Sequence, residues 1–105
     1  SVHRHFNKSE SFHLISGSLC VVLFDGSTPK ILDKVFLEAE SDNCMYRLDS
    51  SLFHLVIPLT QYVIMHETTP GPFHSNDTEI AAWSLTTSGS DLVDSIRRSL
   101  LCSID

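Results

Sequence analysis

The sequence predicts an all-β domain closed by one C-terminal α-helix. Three observations carry this. Short apolar runs recur at intervals of about 8–12 residues, separated by Gly, Pro, Asp, Asn and Ser, as in a sandwich or barrel. Residues 19–24, Leu-Cys-Val-Val-Leu-Phe, are apolar at every position, so the strand they form must be covered on both faces. Residues 90–101 place Leu92, Val93, Ile96, Leu100 and Leu101 at helical i, i+3, i+4 spacing.

Along the chain, residues 12–16 form a strand ending at Ser16-Gly17-Ser18, which reads as a hairpin turn. Asp25-Gly26 ends the apolar strand at 19–24. Residues 31–37 form a strand of mixed patterning, and 38–43 a polar loop carrying Glu38, Glu40 and Asp42. Strands follow at 45–48, 53–58 and 61–67, with a turn at Asp49-Ser50-Ser51. Two prolines between 68 and 72 exclude helix and central strand there, because each removes a donor and fixes φ. Residues 79–85 form a last strand or a docking segment. Ser90 is the expected N-cap of the helix, which packs through Leu92, Val93, Ile96 and Leu100. No repeat or linker divides the 105 residues, so residues 1–105 read as one domain.

A net charge of −6 gives no basic footprint, which argues against nucleic acid and an anionic membrane surface. No apolar run reaches the ~18 residues a membrane span needs. Cys20, Cys44 and Cys102 are odd in number and widely spaced, which fits free thiols and a cytoplasmic location rather than a disulfide framework. A barrel this small has little interior for the doubly apolar strand at 19–24, so a homodimer is expected.

The chemistry concentrates at His3, His5 and Glu10. Side chains at i and i+2 of a strand share a face, so His3 and His5 present two imidazoles together. A short turn can bring Glu10 in on the next strand, and His54 can supply a fourth ligand from a distant strand. Imidazole and carboxylate donors suit a divalent transition metal: Fe, Mn, Ni, Zn or Co. Alone, an HxH pair or a histidine between Phe53 and Leu55 is unremarkable; together with Glu10 they define a candidate metal site. His66 is a candidate general base if it reaches substrate. Tyr62 shares its strand face, with Glu67 on the other, where backbone N–H groups of the Pro-Gly-Pro loop can bind its carboxylate. Tyr62, Arg47 and Trp83 are candidate substrate contacts, Trp83 by stacking on a sugar ring or, alternatively, as a core aromatic. His13 and His74 read as solvated.

The spacing His3-x-His5-x4-Glu10-x6-Gly17 resembles the first motif of the cupins, which are among the double-sheet jelly rolls. Within the cupins, His3-Arg4-His5, Lys8, Glu10-Ser11-Phe12, Ser16-Gly17 and Leu23-Phe24-Asp25 look like the WbuC family, small metalloproteins found with surface-polysaccharide (O-antigen) biosynthesis genes. Glu67-Thr68-Thr69-Pro70-Gly71-Pro72-Phe73 is similar to that family's E-x-x-x-G-P-[FY] segment, with Trp83 as the following aromatic. The resemblance implies a cupin double-stranded β-helix, or jelly-roll barrel. It also implies His3, His5 and Glu10 as first-motif ligands and His54 as the second-motif ligand. The second motif departs from the family: Asp49-Ser50-Ser51-Leu52-Phe53-His54 lacks its Pro and Gly, so a looser turn is expected before the ligand.

Three functions follow as expectations. The first is a metal-dependent cupin in polysaccharide biosynthesis, isomerising or epimerising a sugar. The second is a non-catalytic module that binds a sugar-type ligand. The third is an Fe(II) dioxygenase, since the same ligand types serve oxygen chemistry. Arg4, Lys8 and Arg47 are the basic residues near the expected mouth, and no glycine-rich phosphate cradle is present.

Overall fold

The computed structural model describes residues 2–6, 9–26, 28–49, 51–70 and 78–102. Among these residues the strands are β1 (His3–His5), β2 (Glu10–Ser16), β3 (Ser18–Phe24), β4 (Ile31–Glu38), β5 (Met45–Leu48), β6 (His54–Pro58), β7 (Ile64–Thr68) and β8 (Thr78–Ile80). A 3-10 turn at Ala82–Leu85 precedes α1 (Thr87–Cys102). All pairings are antiparallel: one sheet runs β4-β3-β6-β1-β8, the other β5-β2-β7. All-β with a C-terminal helix is therefore the observed class. Lys8, His74, Ser50, most of the Pro-Gly-Pro loop and the side chain of Cys102 lie outside the described residues.

β3 explains the layering. Its alternate side chains serve two cores, because period-2 geometry sends them to opposite faces. Leu19, Val21 and Leu23 meet Phe12, Leu14, Leu37 and Leu48 between the two sheets. Cys20, Val22 and Phe24 meet Val2, Phe53, Leu55, Ile57, Ile96 and Leu100 on the other face, beneath α1. Both faces are thus covered within one chain, which removes the reason for expecting a second copy over this strand. Burial pushes the Cys20 thiol up to about 11, so it stays protonated at neutral pH. Among the described residues, no helix is long and apolar enough to cross a membrane.

The helix begins earlier than its periodicity suggested. The Gly89 N–H donates to the Thr86 hydroxyl at 3.0 Å, so Thr86, not Ser90, caps it. Ile96 and Leu100 are buried and Val93 packs beside them, whereas Leu92 is 37% exposed and lies off the packed face.

Ser16-Gly17-Ser18 is not a hairpin. β2 and β3 lie in different sheets, and Gly17, at φ 87°, turns the chain from one to the other. A side chain there would run into the Tyr62 carbonyl and the Thr60 hydroxyl. Gly17→Ala is expected to cost roughly 2 kcal/mol or more, from backbone strain and this clash. A urea midpoint equal to wild type would refute that reading.

Candidate metal centre

β1 reaches the sandwich interior by strict alternation. Val2 points into the helix-side core, fully buried, and Arg4 follows it on that face, while His3 and His5 take the inner face. β6 does the same: Phe53 and Leu55 face the helix, so His54 faces inward and is 1% exposed. His3 and His54 are register partners. The sequence placed Glu10 beside the HxH strand and His54 across from it. The structure reverses this: His54 lies on the neighbouring strand, and Glu10 comes from the opposite sheet. Glu10 pairs with Leu48 and is 2% exposed.

His3, His5, Glu10 and His54 converge. One donor atom from each lies within 4.8 Å of the others. Ring centroids are 5.1 Å apart for His3 and His5, 4.5 Å for His3 and His54, and 6.0 Å for His5 and His54. Donors bonded to one ion at ~2.1 Å stand roughly 3–4 Å apart, so closing the shell takes a contraction of about an ångström at the widest pair.

Orientation is fixed from behind. His54 Nδ1 lies 3.0 Å from the Leu52 carbonyl. A carbonyl only accepts, so Nδ1 carries the proton and Nε2 is left to face Glu10. His5 Nδ1 meets the Thr78 hydroxyl at 3.0 Å, which directs its Nε2 to Glu10 Oε1 as well. His54 Nε2 and Glu10 Oε1 are 3.4 Å apart, both buried, and neither has a hydrogen-bond partner. His54 Nε2 and Glu10 Oε1 are unfavourable as facing lone-pair acceptors, and either a proton or a metal ion between them relieves this. The donor set and its orphaned atoms fit a divalent transition metal.

The same geometry sets the titrations. Burial pushes Glu10 up, but the His54 and Glu67 contacts and the nearby imidazolium charge outweigh it and hold the carboxyl at about 2. Burial pushes His54 down, yet Glu10, the Leu52 carbonyl and Glu67 together raise it. Glu67 is pushed up to about 7 by its contact with Glu10, by burial and by repulsion from that carboxylate.

Glu67, expected from the sequence to bind loop N–H groups, reaches the cluster instead. It is the register partner of Phe12, whose side chain fills the inter-sheet core, so Glu67 shares the inner face and reaches Glu10. The signal was its opposite parity to His66. His66 pairs with His13 on the outer face of the three-stranded sheet and is exposed, so it is turned away from the cluster. The other candidates also lie elsewhere. Arg47 is exposed on that outer face and pairs with Asp49. Tyr62 is 75% exposed beside Gly17, at the other end of β2 from Glu10. Trp83 packs edge-on against Phe24 beneath the helix, 5.2 Å between centroids. A cavity of about 360 Å³ also opens at the Gly17 end, lined by Ser16, Glu38 and Glu40, where no imidazole converges.

Arg4 anchors β1, which carries His3 and His5. Its guanidinium lies 4.7 Å from the Phe6 ring centroid and 4.6 Å from that of Phe53, and Nε donates to Glu79 at 2.8 Å. This ties three-residue β1 to both neighbours while His3 and His5 point the other way. Arg4→Ala is expected to weaken metal binding about tenfold or more without touching a ligand, as outer contacts of metal sites do. An unchanged dissociation constant in chelator competition would contradict this.

The chain matches no protein-family model, no curated protein and no solved structure.

Proposed function

We propose that this is a metal-dependent protein of cupin type that isomerises or epimerises a sugar in surface-polysaccharide biosynthesis. One observation carries the metal-dependent part: three imidazoles and a carboxylate meet in a cluster whose Glu10 and His54 are buried, with mutually facing acceptor atoms that lack a hydrogen bond. The resemblance of the His3-to-Gly17 and Glu67-to-Phe73 segments to the WbuC family supports the sugar chemistry. The two facing antiparallel sheets are compatible with a jelly roll.

A divalent ion held by His3, His5, Glu10 and His54 supplies Lewis-acid polarisation of a carbonyl or of paired hydroxyls. The chain supplies the rest. The Leu52 carbonyl holds His54 in the ligating tautomer, and the Thr78 hydroxyl orients the His5 ring. Phe12, Leu48 and Leu14 keep bulk water from the inner side of the cluster. Glu67, against Glu10 and partly open to solvent, replaces His66 as the group placed to move a proton at the substrate carbon.

The test is metal-loaded protein with nucleotide-sugars in deuterium oxide. The expected result is deuterium at a sugar carbon, lost in Glu67→Gln. A second reading, a non-catalytic sugar-binding module, draws on the outward placement of His66, Tyr62 and Arg47. Binding without exchange favours it, and oxygen consumption by the iron form favours the dioxygenase.

A further inference from the structure

The outer face of the β5-β2-β7 sheet carries residues that the inner cluster does not use. Three of them form one row across three strands. In register, Met45 of β5 lies opposite His13 of β2, and His13 lies opposite His66 of β7. All three are exposed, Met45 to 64%. A thioether so open to water on a strand face gains little from burial.

The spacing follows from the hydrogen-bond ladder. The Leu14 N–H donates to the Cys44 carbonyl at 2.8 Å, so the even residues of β2 bond toward β5. Met45 and His13 are then a non-hydrogen-bonded pair, with Cα atoms about 4.5 Å apart, and His13 and His66 a hydrogen-bonded pair at about 5.5 Å. At these separations rotation about the side-chain bonds can bring the three donor atoms over His13 toward one ion, the outer two strands standing about 10 Å apart. The adjoining row does not oppose a cation strongly. Its positive group, Arg47, is engaged by Asp49 at 2.7 Å and reaches Ser9 at 3.4 Å. The remaining members of that row, Ser11 and Thr68, are neutral.

We propose that Met45, His13 and His66 form a second, exposed metal site that takes monovalent copper. A thioether with two imidazoles is a soft, low-coordinate donor set, and this composition selects Cu(I) over the harder ions that suit a carboxylate-bearing cluster. The site needs no change of fold, only rotation of three exposed side chains. It is independent of the inner cluster: the two histidines point to the opposite face of the sheet from Glu10 and Glu67.

The chain has two methionines, Met45 and Met65, and Met65 packs on the inner face opposite Leu14. Protein labelled with carbon-13 at the methionine methyls is titrated anaerobically with copper(I). The Met45 resonance is expected to shift and saturate, after one further equivalent if the inner cluster fills first, while a control titration of His13→Asn/His66→Asn needs at least thirtyfold more copper. Both replacements are on the exposed face, so folding is preserved and is checked by the unchanged Met65 resonance before copper is added. A Met45 methyl that stays in place while copper binds elsewhere overturns the proposal. So does a Met45 shift of equal affinity in the double variant.

Discussion

His54→Ala is expected to cut metal affinity at least a hundredfold and to lower the stability of the metal-free protein by roughly 2–4 kcal/mol. The first effect follows from position: His54 is register partner of His3 and, of the cluster residues in the larger sheet, the most deeply buried. The second has two sources. Truncation leaves a void in a close-packed interior, and it removes one of the two imidazoles that face the 2%-exposed Glu10 carboxylate. His54→Gln separates them, because it keeps most of the volume while spoiling the ligand. It should recover much of the stability and little of the metal binding, read by urea unfolding and chelator competition side by side. Equal metal affinity in wild type and both variants would show that the cluster does not hold the ion.

Metal binding should also invert the pH dependence of stability. In the metal-free protein, Glu67 has a folded value of about 7 against an ordinary 4.5, so the native state holds the extra proton across that window. Its contribution is complete below pH 4.5 and is lost as pH rises through 7. His54 is raised as well, so its contribution is present below 6.5 and is lost above its folded value. Glu10 works oppositely: its contribution is present above 4.5 and disappears as pH falls toward 2. The metal-free protein is therefore expected to be most stable near pH 4.5 as far as these groups decide, and to weaken from there to pH 7.5. A divalent ion competes with protons for the imidazoles, so its stabilisation grows over the same range. At a hundred times its dissociation constant it adds about 2.7 kcal/mol, roughly 10–20 °C in Tm for a domain of this size. Thermal melts at pH 5 and 7.5, with chelator and with metal, should slope in opposite directions; parallel slopes would contradict the assignment.

Much of this site is legible in the residues because its key element is local. His3 and His5 share a face by strand period alone, and Val2 and Arg4 confirm the alternation. His54 needed the resemblance, since nothing in Phe53-His54-Leu55 says which way the imidazole faces until β6 is paired between β3 and β1. The partition into two sheets was not legible. Ser16-Gly17-Ser18 has hairpin chemistry, and only the long-range pairing of β2 with β5 and β7 shows that the turn changes sheets. The same gap misassigned His66 and Glu67. Their opposite parity was plain, but the inner face is set by the register with Phe12. Trp83 was ambiguous for a related reason: its place beneath α1 depends on β3 sending Phe24 to the helix side.

The four-residue metal centre is the central claim, and elemental analysis of the purified protein after gel filtration tests it most directly. One divalent transition-metal ion per chain is expected in the wild type and near none in His54→Gln at matched folding. Less than a tenth of an ion per chain in a wild type supplied with iron, manganese, nickel, zinc and cobalt, or equal metal in the variant, would contradict the account.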